Sequence, residues 1–516
     1  MAKRIDLSAK RRALLGELLP HGESPAAAPS APDDGPPPLS FAQQRLWFLD
    51  QYETDRPIYN IPLRVPLQGS VDARAVEAAV REIVRRHGAM RTTFRVVDGQ
   101  PVQHVAPPGD FLVPLIDLRG LPEEERRPTL ERLAAAEHEH RFDLVRGPLF
   151  RASLIRVDNT EHVLLLTTHH IVSDGWSMGI LLSEFDTLYS AFSSGRPSPL
   201  PELALQYTDF ARRQRDELQG ERLESLIGFW RRKLGDAPPT IELPTDRPRP
   251  KMQTFNGETQ LFRVPKPVAQ QLAELGRKSG VTTFMTLLAA FEVLLARWTG
   301  RTDIVLGTPI ANRNRAEIEP LIGFFVNTLV LRTDLSGDPT FRELLQRVRE
   351  VTLEAYAHQD LPFEKLVEEL QPERDPAHTP VIQVLFALQN LPTMMNGMAG
   401  AEHSDSGEPT VIPGNARFDM SLFMAEVDNG LVGELEYNSD LFDTATISRL
   451  IARFGRALAA LASEPEQRIA DLPLMDEAER RALEDAWSGP RTDVPHVGAH
   501  ALFEARARQP ARSGGA

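Results

Sequence analysis

The segment His162-Val163-Leu164-Leu165-Leu166-Thr167-Thr168-His169-His170-Ile171-Val172-Ser173-Asp174-Gly175 changes character twice along its length. Residues 162–168 form a short apolar run that suits a buried strand. Asp174-Gly175 is a turn signal, and the apolar residues after it, Met178, Leu181, Leu182, Phe185, Leu188, Tyr189 and Phe192, step by three and four as in a helix. Strand, tight loop and helix therefore frame the most polar cluster on the chain. Neighbouring side chains of an extended segment point to opposite faces, so His169 and His170 cannot both reach one reacting atom, and one of them is structural. A neutral imidazole accepts a proton near pH 7, and a loop after a buried strand can hold it in a cleft. Asp174 either orients that imidazole or pairs with a distant arginine, because a buried carboxylate needs a partner.

Two further chemistries fit the same residues less well. Gly175-Trp176-Ser177-Met178-Gly179 matches the G-x-S-x-G elbow of serine hydrolases, yet Ser177 lies several residues beyond the strand. That serine is better placed to cap a helix beginning at Met178. A metal site lacks a third ligand at suitable spacing.

Outward from this cluster the chain alternates strands and helices. Apolar spacing predicts a helix over 71–87, a strand region over 103–113, a strongly apolar helix over 283–298, and strands near 258–264, 303–307 and 327–333. Five prolines between Ala237 and Pro250 mark a junction between two mixed halves, 39–236 and 237–475. Residues 391–413 read as an exposed loop. Residues 1–20 contain an amphipathic helix over 6–19, either the first element of the fold or a docking element for a partner protein. Residues 21–38, rich in Pro, Ala, Ser, Asp and Gly, form a tether, and 476–516 a linker leading into a following domain.

The chain has 516 residues, 41% hydrophobic and 25% charged, enough to bury the cores of two domain-sized bodies. A formal charge of −14 disfavours a nucleic-acid surface. The absence of cysteine excludes disulfides, thiolate metal sites and a cysteine nucleophile. Neither a signal peptide nor a membrane span is visible, which predicts a cytoplasmic, monomeric protein away from membranes.

His169–Gly175 resembles the HHxxxDG signature of nonribosomal peptide synthetase condensation domains. Six further stretches agree with that family in its own order: Ser40–Leu49, Arg86–Phe94, Tyr207–Ala211, Ile322–Leu329, His358–Glu364, and Arg374-Asp375 leading to Gln383–Phe386. The resemblance covers residues 39 to about 475. Gly88 stands where the family usually has Glu, and Ala377-His378 replaces the commoner Ser-Arg, which puts local packing rather than activity in doubt.

The resemblance implies an α/β fold of mixed sheets, with two chloramphenicol-acetyltransferase-like subdomains in a V-shaped pseudodimer around a central tunnel. Its signature, His169, His170, Asp174 and Gly175, would form the catalytic loop. His170 would face the tunnel, and Asp174 would be structural, paired with Arg91. Gln43, Trp176, Ser177 and Asn327 would line the site. The implied reaction joins a donor acyl or peptidyl thioester to the α-amine of an aminoacyl carrier-protein thioester. No cofactor is bound by the domain itself, because the substrates ride on 4'-phosphopantetheine of carrier proteins.

Heterocyclisation domains carry Asp in place of the paired histidines. Epimerisation domains usually follow their carrier, whereas Ala501-Leu502-Phe503-Glu504 looks like the beginning of a downstream adenylation domain, whose acceptor carrier would be the second partner. Because Met1 opens the chain, the donor is expected on a carrier of another polypeptide or, in the starter variant, as an acyl-CoA. The motif Gln43–Leu49 resembles domains that accept L-configured donors. A serine hydrolase using Ser177 and a silent docking module are the readings from other classes.

Overall fold

A computed structural model describes residues 35–52, 57–237, 240–371, 375–389, 411–427, 430–475, 477–488 and 498–508. The predicted helix 6–19, most of the tether, residues 391–410 and Arg374 lie outside the described residues.

The first half is built on a four-stranded sheet. Its strands are β1 (Asn60–Gln68), β4 (Leu115–Asp117), β5 (Phe150–Arg156) and β6 (Glu161–His169), in the order β1-β6-β5-β4, and β2 (Thr92–Val97) and β3 (Gln100–Val105) form a separate hairpin. The Val163–Leu166 run is apolar throughout because both faces of β6 are covered. Leu164 and Leu166 pack with Val76, Val80, Leu181 and Phe185 of the helices Ala73–Arg86 and Gly175–Phe192. Val163 and Leu165 pack with Leu130 and Ala134 of the helix Glu123–His138. The strand expected over 103–113 stops at Val105, where Pro107 and Pro108 remove two backbone donors.

The second half holds a seven-stranded sheet. Its members are β7 (Asn256–Pro265), β8 (Asp303–Ile310), β9 (Asn327–Asp334), β10 (Val384–Gln389), β11 (Val411–Asn415), β12 (Met420–Val427) and β13 (Gly430–Asn438), ordered β11-β7-β13-β12-β10-β8-β9. Residues 411–413, expected in a loop, therefore open a strand that pairs with β7. One face of the sheet packs on the helices Lys266–Ser279, Thr283–Thr299, Phe341–Ala357 and Thr444–Ser463 to form the larger core. No single described helix is long and apolar enough to cross a membrane.

The proline-rich junction is a boundary in sequence and not in packing. Leu226, Trp230 and Leu234 of the helix Gly220–Leu234 belong to the second core, although they precede residue 237. In return, Ile318, Leu321, Ile322, Phe324 and Phe325 lie in the apolar clusters of the first half.

Glu292 sits fully buried on the helix Thr283–Thr299, with Thr333 Oγ1 donating to its Oε1 at 2.8 Å and, among the described residues, no partner for Oε2. Burial pushes its carboxyl up to about 8. The folded protein then holds a proton that the unfolded chain releases above the ordinary carboxyl range. Stability tied to this group is full in acid and is lost as pH rises toward about 8. Glu292→Gln should raise the melting temperature more at pH 8.5 than at pH 5; an equal change at both would show that Glu292 is ionised throughout.

Candidate active site

β6 ends at His169, and the His170 backbone N–H donates to Tyr59 O at 2.8 Å before a 3₁₀ turn covers His170–Val172. The histidines thus differ because the strand stops between them. His169 Nδ1 accepts from the Ile171 N–H at 3.1 Å, which leaves its own proton on Nε2. Its ring is buried, with the Tyr59 and Phe142 ring centroids 6.0 and 6.1 Å away. Burial lowers it to about 3, so it stays neutral.

His170 takes the opposite tautomer. Its Nδ1 lies 2.9 Å from Ser173 O, and a carbonyl only accepts, so Nδ1 carries the hydrogen and Nε2 the lone pair. Among the described residues no group bonds that Nε2. The ring is half-buried, edge-on to Phe324 at 4.8 Å. Burial, and next the Arg417 guanidinium, hold it below the ordinary imidazole range, while Asp174 opposes them more weakly. His170 is a neutral imidazole at pH 7.

Asp174 is buried and caps the helix Gly175–Phe192. Oδ1 accepts from Ser177 N at 2.8 Å and Ser177 Oγ at 2.7 Å, and Oδ2 accepts from Phe325 N at 2.9 Å. Its ion-pair partner is Arg313, 3.3 Å away, with both side chains almost inaccessible. Arg313 also donates to Ser177 Oγ and to the carbonyls of Ile318 and Leu321, and its guanidinium lies 4.0 Å from the Phe325 ring centroid. The expected Asp174–Arg91 pair is therefore absent. Arg91 donates instead to Val84 O, Arg85 O and Ala106 O, because it follows a helix whose last carbonyls lack intrahelical donors.

Several other expectations resolve into support for the histidine loop. The helix begins at Gly175, not Met178, and Asp174, not Ser177, is its cap. Ser177 is sealed, with Oγ shared among Asp174, Arg313 and the Gly323 backbone, so it is no hydrolase nucleophile. Gln43 turns inward too, donating to Ile171 O at 3.1 Å behind the loop. Asn327 fastens residues 359–363, donating to Gln359 O and Leu361 O and accepting from Phe363 N. Trp176, half-exposed, donates from Nε1 to Glu319 O at 3.1 Å. Arg86 and His87 both bind Glu184, and His87 Nδ1 accepts from Ile322 N. At Gly88 a Cβ would stand 3.0 Å from Gln206 Oε1, which accepts the Gly88 N–H at 2.7 Å. Gln206 therefore occupies the space that a larger residue at 88 would need.

Sequence reasoning missed Arg313, Arg417, Tyr59 and Glu436. Arg417 donates to Ile58 O at 3.0 Å and lies 4.9 Å from the Tyr59 ring centroid, which places a second-half guanidinium beside the backbone that carries His170. No group of three or more metal-ligating side chains occurs among the described residues. A cavity of about 250 Å³ lined by Phe210, Arg213, Glu217, Arg315 and Asp360 lies apart from His170. Its arginines are paired with Glu217, Glu317 and Asp360, so it offers no obvious reacting group.

Residues 35–484 match the condensation domain family. The chain is 50% identical over 461 residues to a linear gramicidin synthase from Brevibacillus parabrevis, an alignment covering 89% of this chain and 9% of that protein. The X-domain from teicoplanin biosynthesis superposes with a TM-score of 0.75 at 31% identity, covering 87% of this chain and 100% of that one. The first condensation domain of the calcium-dependent antibiotic synthetase shares the fold, with a TM-score of 0.70 at 20% identity over 86% of this chain and 100% of that one. The chain thus spans about a tenth of the length of the gramicidin synthase.

Arg313→Ala should destabilise the protein by about 3–5 kcal/mol, because it strands a buried carboxylate. Arg91→Ala, which removes bonds to carbonyls alone, should cost about 1–3 kcal/mol. Denaturant unfolding separates the two, and equal losses would mean that Asp174 does not depend on Arg313.

Proposed function

The chain belongs to the condensation domain family of nonribosomal peptide synthetases, amide-forming parts of multidomain enzymes that work with carrier and adenylation domains, and on that premise we propose that His170 Nε2 receives the acceptor amine. The observation that carries this reading is the tautomer. Ser173 O holds the His170 proton on Nδ1, so the lone pair on Nε2 is available to an N–H of the acceptor.

The reaction is attack of an amine nitrogen on the carbonyl carbon of a thioester. The C–N bond forms, the carbonyl oxygen takes charge, and the C–S bond then breaks with its electron pair leaving on sulfur. The nitrogen gains positive charge as it attacks, and Nε2 accepts a hydrogen bond that strengthens as that charge grows. The first proton is a separate problem. An α-ammonium titrates near 8, and an imidazole held below its ordinary value of about 6.5 is too weak a base to strip it beforehand. His170 therefore acts during and after attack, by positioning the amine and relaying the proton released from the adduct.

Both substrates arrive on phosphopantetheine arms in this reading, the donor on one carrier and the acceptor on another. Residues 39–236 and 237–475 form the two walls of the channel in which the arms meet. Holding two tethered reactants in line removes several kcal/mol of association entropy.

A two-carrier assay tests the reading, with donor carriers loaded from a panel of N-acylated amino acids and a glycyl carrier as acceptor. His170→Ala should lower amide formation by at least about a hundredfold, with a melting temperature close to that of the unaltered protein because the ring is half-buried. Near-normal turnover by this variant would sink the assignment. Replacing donor carriers with acyl-CoA in the same assay identifies the starter variant. A fluorophosphonate probe should leave Ser177 unlabelled.

A further inference from the structure

The weakness of His170 as a base leaves the first proton of the acceptor ammonium without a destination, and the second half supplies one. In β13, Leu431, Leu435 and Tyr437 point into the larger core, so Glu434 and Glu436 lie on the opposite face of the sheet. Ser421 and Phe423 of β12 are their cross-strand partners, and Thr259 and Leu261 of β7 flank them on the other side. Both carboxylates are half-buried. Ser421 Oγ donates to Glu436 Oε1 at 3.2 Å, and no described residue pairs with Glu434.

Arg417 connects this face to the histidine loop. Its guanidinium, bonded to Ile58 O and stacked near Tyr59, interacts electrostatically with Glu436 on one side and with His169 and His170 on the other. Arg45 is the further cation acting on Arg417. The charged and titratable groups around Glu436 are therefore Glu434 on its own strand and Arg417 from the loop before β12, with the His170 imidazole beyond Arg417. Two carboxylates and one guanidinium leave this wall one negative charge in excess, the sign that draws in an ammonium.

We propose that Glu436 accepts the first proton of the acceptor ammonium, with Arg417 as the positioning residue between it and His170. This rests on the condensation reading above. The carboxylate takes one proton from R–NH₃⁺, and the neutral amine attacks the thioester carbon. The C–N bond forms and the C–S bond breaks. The remaining ammonium proton of the adduct passes through His170 Nε2 to the departing thiolate, and Glu436 returns its own proton to solvent. The basicities match. An ordinary glutamate near 4.3 is several units too acidic to hold a proton taken from an amine titrating near 8. Burial, reinforced by Glu434 and opposed by Arg417, raises Glu436 to about 7.

Two measurements on the whole chain test this. Infrared difference spectra of the unaltered protein against Glu436→Gln should show a carboxylic acid carbonyl band that titrates away near pH 7; the comparison cancels the other buried acid, Glu292. If no such band is present, the proposal fails whatever the turnover. In the two-carrier assay, Glu436→Gln should lose about 10- to 100-fold in kcat at pH 6.5 and less than about threefold at pH 9, where the free amine is already neutral. Glu436→Asp should restore part of the loss at pH 6.5. An equal loss at both pH values marks a structural role and overturns the proposal, as does no loss at either. An unaltered protein that makes no amide from any donor would count against the condensation reading alone, and the infrared band then decides the role of Glu436.

Discussion

A carboxylate withdrawn from water must have its lone pairs answered, and the arrangement around Asp174 follows from that requirement. One oxygen collects the amide and hydroxyl of Ser177 and the guanidinium of Arg313, and the other takes the amide of Phe325. Two of these donors come from the next turn of chain and two from beyond residue 310. The same bonds that satisfy the charge clamp residues 313–325 of the second half onto the loop that carries His170. Phe324, held in that segment, supplies the edge contact to the imidazole. The position of the reactive ring therefore depends on a charge that never meets substrate.

Adjacent histidines with opposite tautomers show how little backbone change separates a structural group from a reactive one. His169 accepts the Ile171 amide and is enclosed by Tyr59 and Phe142. His170 donates to a carbonyl and keeps its lone pair outward. The switch is the end of β6: where the ladder with β1 stops at the Asn60–His169 pair, the chain tightens and the second ring leaves the strand face.

Elements with strong local periodicity were legible in the sequence. The apolar β6 run, the helix that follows it and the helix Thr283–Thr299 all lie within a few residues of expectation, because burial on two faces or on a wide stripe writes itself into neighbouring positions. The choice of His170 over His169 needed the family signature, since both residues are histidine and the distinction lies in hydrogen bonds. Arg313 was not legible: 139 residues separate it from Asp174, and nothing local marks one arginine of Arg313, Arg315 and Arg301 as the buried one. Arg91 was legible as an important arginine but its partners are carbonyls, which leave no trace in side-chain composition. Exchange of segments between the halves was hidden for the same reason, because Leu226 and Phe325 read as ordinary apolar residues wherever they pack.

That exchange bears on synthesis in the cell. At a translation rate of about 5–20 residues per second, the 139 residues between Asp174 and Arg313 take roughly 7–30 seconds to emerge. Throughout that interval the nascent amino-terminal sheet lacks Ile322, Phe324 and Phe325, and its carboxylate lacks a counterion. Closure must await the ribosome's delivery of the later strap, so the two lobes mature together rather than in succession, and the histidine loop is among the last parts to set.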